Sequence, residues 1–275
     1  MPKWPLCLNT STIQPASLMD KIAIAVETGY TAIEVWSDDL TQFEQTGQPL
    51  SDLGQILQDS GLKVPSVIAM FDWMQSGDCY KKTAYAEARR RLNQAAVIGA
   101  PHIVASPVPD RQHLDITLAA TRYRELVELG EELGVRPAME FLGFNGNVYQ
   151  LEQAVAIVRQ AEHPNGCIVL DPFHLYRGGS GFGGVKLLSS DEIALCHFND
   201  APALPPQFEQ TDEDRVYPGD GILPLTSLLK DLISLGYEGY LSLELFNPHY
   251  WTEDLRQVAR IGREKMEATI RSATG

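Results

Sequence analysis

Short apolar segments alternate with amphipathic segments along the whole chain, and this alternation constrains the fold more than any other feature. Eight of the apolar segments are typical of buried strands, because each is short and ends at polar or glycine-containing turns. They are predicted at Leu6–Asn9, Ala32–Trp36, Val64–Met70, His102–Ser106, Pro137–Phe141, Ile168–Asp171, Ala194–Phe198 and Leu241–Leu245. Regular alternation of strands and helices predicts a parallel sheet covered by helices.

The segments between these strands carry apolar residues at three- and four-residue spacing, which predicts amphipathic helices. The predicted helices are Ser17–Thr28, Leu50–Ser60, Ala84–Val97, Leu118–Leu133, Leu151–Arg159, Leu225–Leu235 and Asp254–Arg271. Glycines at their ends can adopt the left-handed conformation that stops a helix; they are Gly29, Gly61, Gly99, Gly134 and Gly236. Eight strands in 275 residues predict an α/β fold, a (β/α)8 TIM barrel, with residues 1–275 forming a single domain.

Four acidic or imidazole side chains lie at or near the carboxyl ends of predicted strands: Glu140, Asp171, His197 and Glu244. An ionised carboxylate in an apolar strand is unfavourable unless it is paired or binds a cation, so four such positions suggest one shared centre. Three carboxylates and one imidazole suit Mn²⁺, Mg²⁺, Co²⁺ or Zn²⁺. Taken singly, either glutamate could instead form a buried ion pair, and Asp171 could cap the turn that follows it.

Three further residues are candidates for substrate contacts. His174 lies three positions after Asp171 and could bind metal or substrate, or only hydrogen-bond to backbone. Arg215 lies among three acids, where it could belong to a surface salt-bridge cluster or hold substrate oxygens with a fixed guanidinium. Glu34, near the end of predicted strand two, could contact substrate or be a buried structural acid.

The composition limits the kinds of molecule that the protein is expected to bind. With 36 acidic and 22 basic residues the formal net charge is −14, which argues against nucleic-acid binding. No apolar stretch is long enough to span a bilayer and the start lacks an apolar signal core, so we expect no membrane association and a cytoplasmic protein. The cysteines lack CxxC spacing and are expected to be reduced; they are Cys7, Cys79, Cys167 and Cys196. A homo-oligomer is compatible with the sequence.

The chain resembles the sugar isomerase and epimerase superfamily typified by xylose isomerase-like barrels, and within it most closely the inosose isomerase branch. The second half of the chain carries the resemblance, in the motifs Ala138–Gly143, Val169–His174, Cys196–Asp200, Thr211–Gly221 and Leu241–Phe246. The first half resembles the superfamily only in its general pattern. The run around Arg215 and the last motif favour the inosose branch, while the remaining motifs are shared across the superfamily.

The resemblance implies that Glu140, Asp171, His197 and Glu244 bind one divalent metal ion, manganese among the candidates. It also implies that His174 and Arg215 contact a small sugar or cyclitol, and that the two glutamates act as acid and base. The predicted reaction is isomerisation or epimerisation of a keto-cyclitol or ketose through an enediolate held by the metal. The alternatives are an inosose or 3-dehydroshikimate dehydratase, a metal-free barrel glycosidase and a non-catalytic sugar-binding protein.

Overall fold

The strands of the chain close into a barrel. In the computed structural model, which describes residues 4–74, 83–107, 115–144 and 147–274, eight parallel strands pair with their sequence neighbours, and β8 pairs with β1. The strands are β1 (Leu6–Asn9), β2 (Ala32–Trp36), β3 (Val67–Met70), β4 (His102–Ala105), β5 (Arg136–Met139), β6 (Cys167–Leu170), β7 (Ile193–Phe198) and β8 (Leu241–Leu243). The predicted (β/α)8 barrel is therefore confirmed.

Helices connect the strands and cover the outside of the barrel. Within the described residues they are α1 (Leu18–Glu27), α2 (Ser37–Gln45), α3 (Leu50–Asp59), α4 (Tyr85–Val97), α5 (Ile116–Leu133), α6 (Leu151–Gln160), α7 (Pro172–Arg177), α8 (Leu225–Ser234), α9 (Pro248–Trp251) and α10 (Leu255–Thr274). All seven predicted helices are present, and no bound is shifted by more than three residues. The five predicted glycine stops have φ between 71° and 82°, in the left-handed region.

The sequence did not predict three of these helices, because their segments carry little apolar periodicity. Helix α2 is mostly polar and buries only Ser37, Leu40 and Phe43. Helices α7 and α9 are single short turns that begin with proline after a capping Asp171 or Asn247. Strand β3 begins later than predicted, at Val67 rather than Val64, since Pro65 in that segment has no N–H to donate to a neighbouring strand.

Two clusters of buried apolar side chains hold the barrel together. The larger one packs the helices on the outer face of the sheet. The smaller one contains only strand residues, which is expected of the barrel interior because side chains alternate between the two faces of a strand; it comprises Ile68, Ala69, Val104, Ala138, Cys167, Val169 and Leu195. Apolar packing thus closes the interior, and the polar residues collect at the strand carboxyl ends.

The cysteine prediction holds where the chain is described: Cys7, Cys167 and Cys196 are buried and free, and Cys79 lies outside the described residues. The chain between α7 and β7 contains a short 3₁₀ turn at Gly183–Leu187, and the chain between β7 and α8 contains two, at Gln207–Glu209 and Asp212–Asp214. No helix in the described parts of the chain is both long and apolar enough to cross a membrane.

Close packing of α5 against β5 yields a stability prediction. A Cβ added at Gly130 would lie 2.3 Å from the carbonyl oxygen of Val135 and 2.7 Å from Cδ of Pro137, and neither atom is free to move aside. We expect Gly130→Ala to lower the free energy of unfolding by about 1–3 kcal/mol, measured by denaturant or thermal unfolding. Gly183→Ala is the control, because a Cβ there meets nothing within 4 Å. Equal stability of the two variants would contradict the prediction.

Candidate metal centre

The four predicted metal ligands meet at the carboxyl end of the barrel. Glu140 directly follows β5, Asp171 follows β6 and Glu244 follows β8, whereas His197 is the fifth residue of β7. Because parallel strands end at one face, these neighbouring strands bring the four side chains together. All four are buried, with exposed fractions from 0% to 5%.

The imidazole of His197 lies at the centre of the group. Its Nδ1 atom is 3.0 Å from Oε2 of Glu244, 3.6 Å from Oε1 of Glu140 and 3.6 Å from Oδ2 of Asp171. None of these contacts has hydrogen-bond geometry, so Nδ1 is a buried polar atom without a hydrogen-bond partner in the part of the chain that the structure describes. Three possible ligand atoms lie within 4.8 Å of one another, one each from Glu140, His197 and Glu244. One metal ion could bridge that span.

Asp171 is not part of this closest group, because other partners hold its carboxylate. Oδ1 accepts the backbone N–H of His174 at 3.2 Å and so caps α7. Both oxygens accept from Nδ2 of Asn199, and Oδ2 also accepts from Arg215 at 2.8 Å. The capping alternative for Asp171 therefore holds, and it is compatible with a ligand role because Oδ2 still lies 3.6 Å from Nδ1 of His197.

Arg215 belongs to this cluster, and the surface salt-bridge alternative is wrong because its side chain is only 1% exposed. Its Nη1 donates to Asp171 at 2.8 Å and to Glu244 at 2.7 Å. Nη2 and Nε donate to Oδ1 of Asp212 at 2.6 and 2.8 Å. The guanidinium lies over the rings of Phe173 and Phe246, at 4.9 and 5.4 Å from their centres. The buried ion-pair alternative for Glu244 is thus also present in the structure.

His174 lies beside Arg215, with Nε2 3.0 Å from Nη2 of the guanidinium. Its Nδ1 accepts the backbone N–H of Gly143 at 3.2 Å, so the predicted backbone hydrogen bond exists as well. Burial lowers the pKa of His174 to about 4, which keeps the ring neutral near pH 7.

Glu34 lies behind His197, on the side away from the other carboxylates. Its oxygens are 3.3 and 3.4 Å from Nε2 of His197. The side chain is fully buried and is not among the described residues that line the cavity above the cluster. The structure therefore brings Glu34 to the site through His197 and does not place it at the cavity wall.

The charges of the cluster favour a bound cation. Burial, followed by the charges of Glu244 and Asp171, raises the pKa of Glu140 to about 8. Burial alone would lower the pKa of His197, but Glu244 and Glu34 raise it well above its ordinary value. For Asp171, burial would raise the pKa of the carboxyl group, but the Arg215 guanidinium holds that pKa well below its usual range. Oxygen donors, one imidazole and an unpaired Nδ1 fit a divalent metal ion.

A cavity of about 140 Å³ opens above the cluster. Its polar lining consists of Ser106, Glu140, His174, Asp212, Arg215 and Glu244, and its apolar lining of Trp36, Ile68, Phe71, Leu142, Phe144 and Phe246. A larger cleft of about 740 Å³ shares Trp36 and Phe246 with it but contains none of the four ligand candidates. A small substrate bound above the ligands would thus meet charged groups on one side and aromatic rings on the other.

Four supporting residues were missed by the sequence analysis. Oγ of Ser106 donates to Glu140 at 2.6 Å, and Nδ2 of Asn9 donates to Glu244 at 3.0 Å. Asn9 and Ser106 lie at strand ends like the ligands, so the same positional signal could have identified them. Asn199 follows β7 and is detectable in the same way. Ser242 is inside an apolar strand and gives no such signal.

The fold and this cluster define a class: a parallel eight-stranded barrel with carboxylates and a histidine grouped at the strand carboxyl ends. The chain belongs to the family described as xylose isomerase-like TIM barrel, whose sequence profile matches residues 22–268. It is 27% identical over 271 residues to an inosose isomerase of Bacillus velezensis, covering 96% of each chain.

One solved structure and one further relative also resemble this chain. The crystal structure of a protein named IOLI with a binding zinc atom superimposes with a TM-score of 0.91 at 25% identity, covering 98% of this chain and 99% of that one. A 3-dehydroshikimate dehydratase of Pseudomonas putida is 26% identical over 253 residues, but the match covers only 39% of that longer protein and 90% of this chain.

The unpaired Nδ1 leads to a prediction about metal binding. We expect chelator-treated protein to bind about one divalent ion and to gain roughly 2.7 kcal/mol of stability when free metal is at 100 times Kd. His197→Ala should lose both effects, as measured by elemental analysis and thermal unfolding. His249→Ala, which changes an exposed histidine outside the cluster, is the control. Stoichiometric, tightly bound metal in His197→Ala would show that the site is assigned wrongly.

Proposed function

We propose that the protein is a divalent-metal-dependent isomerase or epimerase of a hydroxy-ketone, either a keto-cyclitol such as an inosose or a ketose. The observation that carries this proposal is the buried Nδ1 of His197, which faces carboxylates at the ends of β5, β6 and β8 and has no hydrogen bond with any described residue. The Bacillus velezensis relative named inosose isomerase supports the keto-cyclitol class. The zinc in the IOLI protein supports a divalent metal ion in this chain.

The proposed chemistry is proton transfer at a carbon next to a carbonyl. A divalent ion held by Glu140, Asp171, His197 and Glu244 would supply Lewis-acid polarisation of the carbonyl and so acidify the adjacent C–H. Glu140 and Glu244 extend from β5 and β8, so they reach the cavity from different strands. One of them removes the proton, the C–H electron pair forms the C=C bond of an enediolate, and the former carbonyl oxygen takes the negative charge.

The site of reprotonation determines the product. If the proton returns to the neighbouring carbon, and the hydroxyl proton passes to the former carbonyl oxygen, the carbonyl moves and the reaction is an isomerisation. If a proton is delivered to the original carbon from the opposite face, the reaction is an epimerisation. Two carboxyl groups on different strands can serve either outcome, because one accepts a proton while the other donates one.

Arg215 and His174 are suited to holding the substrate oxygens. Arg215 lines the cavity as a fixed cation, and such a group stabilises an oxyanion as the charge develops. The neutral His174 lines the cavity beside it, with Nε2 3.0 Å from Nη2 of Arg215. Both residues could therefore contact neighbouring substrate oxygens.

A dehydratase is the second candidate, since the Pseudomonas putida relative named 3-dehydroshikimate dehydratase matches 90% of this chain. It would share the proton abstraction but expel a β-hydroxyl as water. Screening inososes, ketoses and 3-dehydroshikimate with added Mn²⁺, and identifying products by mass, separates the two activities.

Metal dependence tests the remaining alternatives. A metal-free glycosidase would remain active after chelation, and a sugar-binding protein would bind ligand without exchanging its hydrogens. Turnover that survives complete metal removal would refute the proposal.

Isotope exchange tests the proton transfer itself. In D₂O, a glutamate base that exchanges with solvent should place deuterium at the reprotonated carbon of the product. Glu140→Gln and Glu244→Gln should each lower the rate by about 10²–10⁴-fold, because each removes an acid–base group and weakens the metal site. The measurement is deuterium incorporation by NMR or mass spectrometry, together with turnover rates.

Direct return of the same proton would hide the label, so the isotope effect on turnover is measured as well. Substrate deuterated at the α carbon should react more slowly than unlabelled substrate. Carbonyl migration that keeps the substrate deuterium and continues at the wild-type rate in both glutamate variants would contradict glutamate catalysis and favour a hydride shift between adjacent carbons.

Arg215 provides a test that separates substrate contact from metal binding. Arg215→Lys should lower kcat/KM by roughly one to three orders of magnitude, because a point charge cannot reproduce a guanidinium that donates from several nitrogens. Metal content should stay near that of the wild type. Arg159→Lys is the matched control, since Arg159 pairs with Glu192 on the surface. Wild-type kinetics in Arg215→Lys would remove Arg215 from the proposed mechanism.

A further inference from the structure

Glu34 is the one buried carboxylate of the cluster that the proposed mechanism does not use. It is the third residue of β2 and contacts His197 on β7, which lies three strands away around the barrel, with β1 and β8 between them. The contact therefore crosses the barrel interior. A fully buried carboxylate in such a position needs several donors to offset the loss of hydration.

Three donors surround the Glu34 carboxylate. Oε2 accepts from Oγ of Ser242 at 2.7 Å and from Nδ2 of Asn9 at 3.1 Å. Nε2 of His197 lies 3.4 Å from Oε1. Two of these donors are fixed by the sheet itself, because Asn9 is the register partner of Glu34, and Ser242 is the register partner of His197. The carboxylate is thus held in place independently of any ligand in the cavity.

The position of the carboxylate determines which nitrogen of His197 is free. When a cation binds, the imidazole ligand is neutral and carries one proton, and a carboxylate beside Nε2 keeps that proton on Nε2 while the cation displaces the one on Nδ1. Nδ1 is then left with its lone pair, on the side where Glu140, Asp171 and Glu244 converge. The ring also cannot turn Nδ1 away without losing the contact with Glu34.

We infer that Glu34 is a positioning residue that fixes the ring orientation and tautomer of His197, so that Nδ1 is presented as a metal ligand. This inference rests on the proposed metal site. It gives Glu34 a different role from the substrate contact expected from its strand-end position. Asn9 links this positioning residue to a proposed metal ligand, because its Nδ2 donates to Glu34 and also to Oε1 of Glu244.

The test is metal affinity of the full chain, which needs no substrate. Glu34→Gln should raise the Kd for Zn²⁺ or Mn²⁺ about 10–100-fold, the usual effect of removing a carboxylate that supports a metal-bound histidine. A merely structural role for Glu34 would lower the melting temperature of the metal-free variant and leave the Kd of the folded protein unchanged.

Asp39→Asn is the matched control. It makes the same carboxylate-to-amide change at Asp39, which pairs with Lys21 at 2.8 Å and does not contact His197. It should leave the metal Kd at the wild-type value. In zinc-loaded protein, ¹⁵N NMR of the histidines should show His197 protonated on Nε2 in the wild type and in the control, and a changed tautomer or lost zinc contact in Glu34→Gln.

A second variant keeps the inference testable if Glu34→Gln does not fold. Ser242→Ala removes one hydrogen bond to Glu34 and should raise the metal Kd roughly two- to tenfold. Wild-type Kd in folded Glu34→Gln would overturn the inference, as would wild-type Kd in Ser242→Ala if only that variant folds. Failure of the wild-type protein to bind any divalent ion would instead refute the proposed function, so the two failures are distinguishable.

Discussion

Excess negative charge at the carboxyl ends of the strands is the constraint on which the rest of the site depends. Four buried carboxylates share this space with one guanidinium and one central imidazole; they are Glu34, Glu140, Asp171 and Glu244. Such a group is stable only when every oxygen has a donor or a cation, because the charges repel one another in a low-dielectric interior. The neutral donors around it, such as Ser106 and Asn199, follow from that requirement.

The positive charge of the site comes from a loop, whereas its negative charge comes from strands. Arg215 is held there by backbone hydrogen bonds in both directions between Asp200 and Val216, each 3.0 Å long. The carboxylate of Asp200 accepts the N–H groups of Gly219, Gly221 and Leu223 at 2.9 to 3.1 Å. These bonds fix the loop to the end of β7, next to His197. The guanidinium is therefore part of a preorganised site, which is what oxyanion stabilisation requires.

The sequence predicted the barrel and the grouping of the ligands because both depend on periodicity and strand order alone. Glu140, Asp171, His197 and Glu244 had to meet once their strands were parallel and adjacent. The direction in which Glu34 points was beyond prediction, since its contact with His197 joins residues 163 positions apart. That contact depends on strand register around the barrel, and no local pattern encodes it. Helix α2 was missed because its few apolar residues give a weak signal.

Several alternative interpretations of single residues describe contacts that the structure contains. Asp171 caps α7, Glu244 pairs with Arg215, and His174 accepts a backbone N–H. Of these contacts, only the Glu244 pair involves an oxygen at the proposed metal site, because Arg215 donates to Oε2, which also faces Nδ1 of His197. A cap on Oδ1 of Asp171 leaves Oδ2 facing His197, and the N–H of Gly143 holds Nδ1 of His174 while Nε2 faces Arg215. Ordinary structural hydrogen bonds thus orient the groups that we propose to be functional, and the same residues serve the fold and the site together.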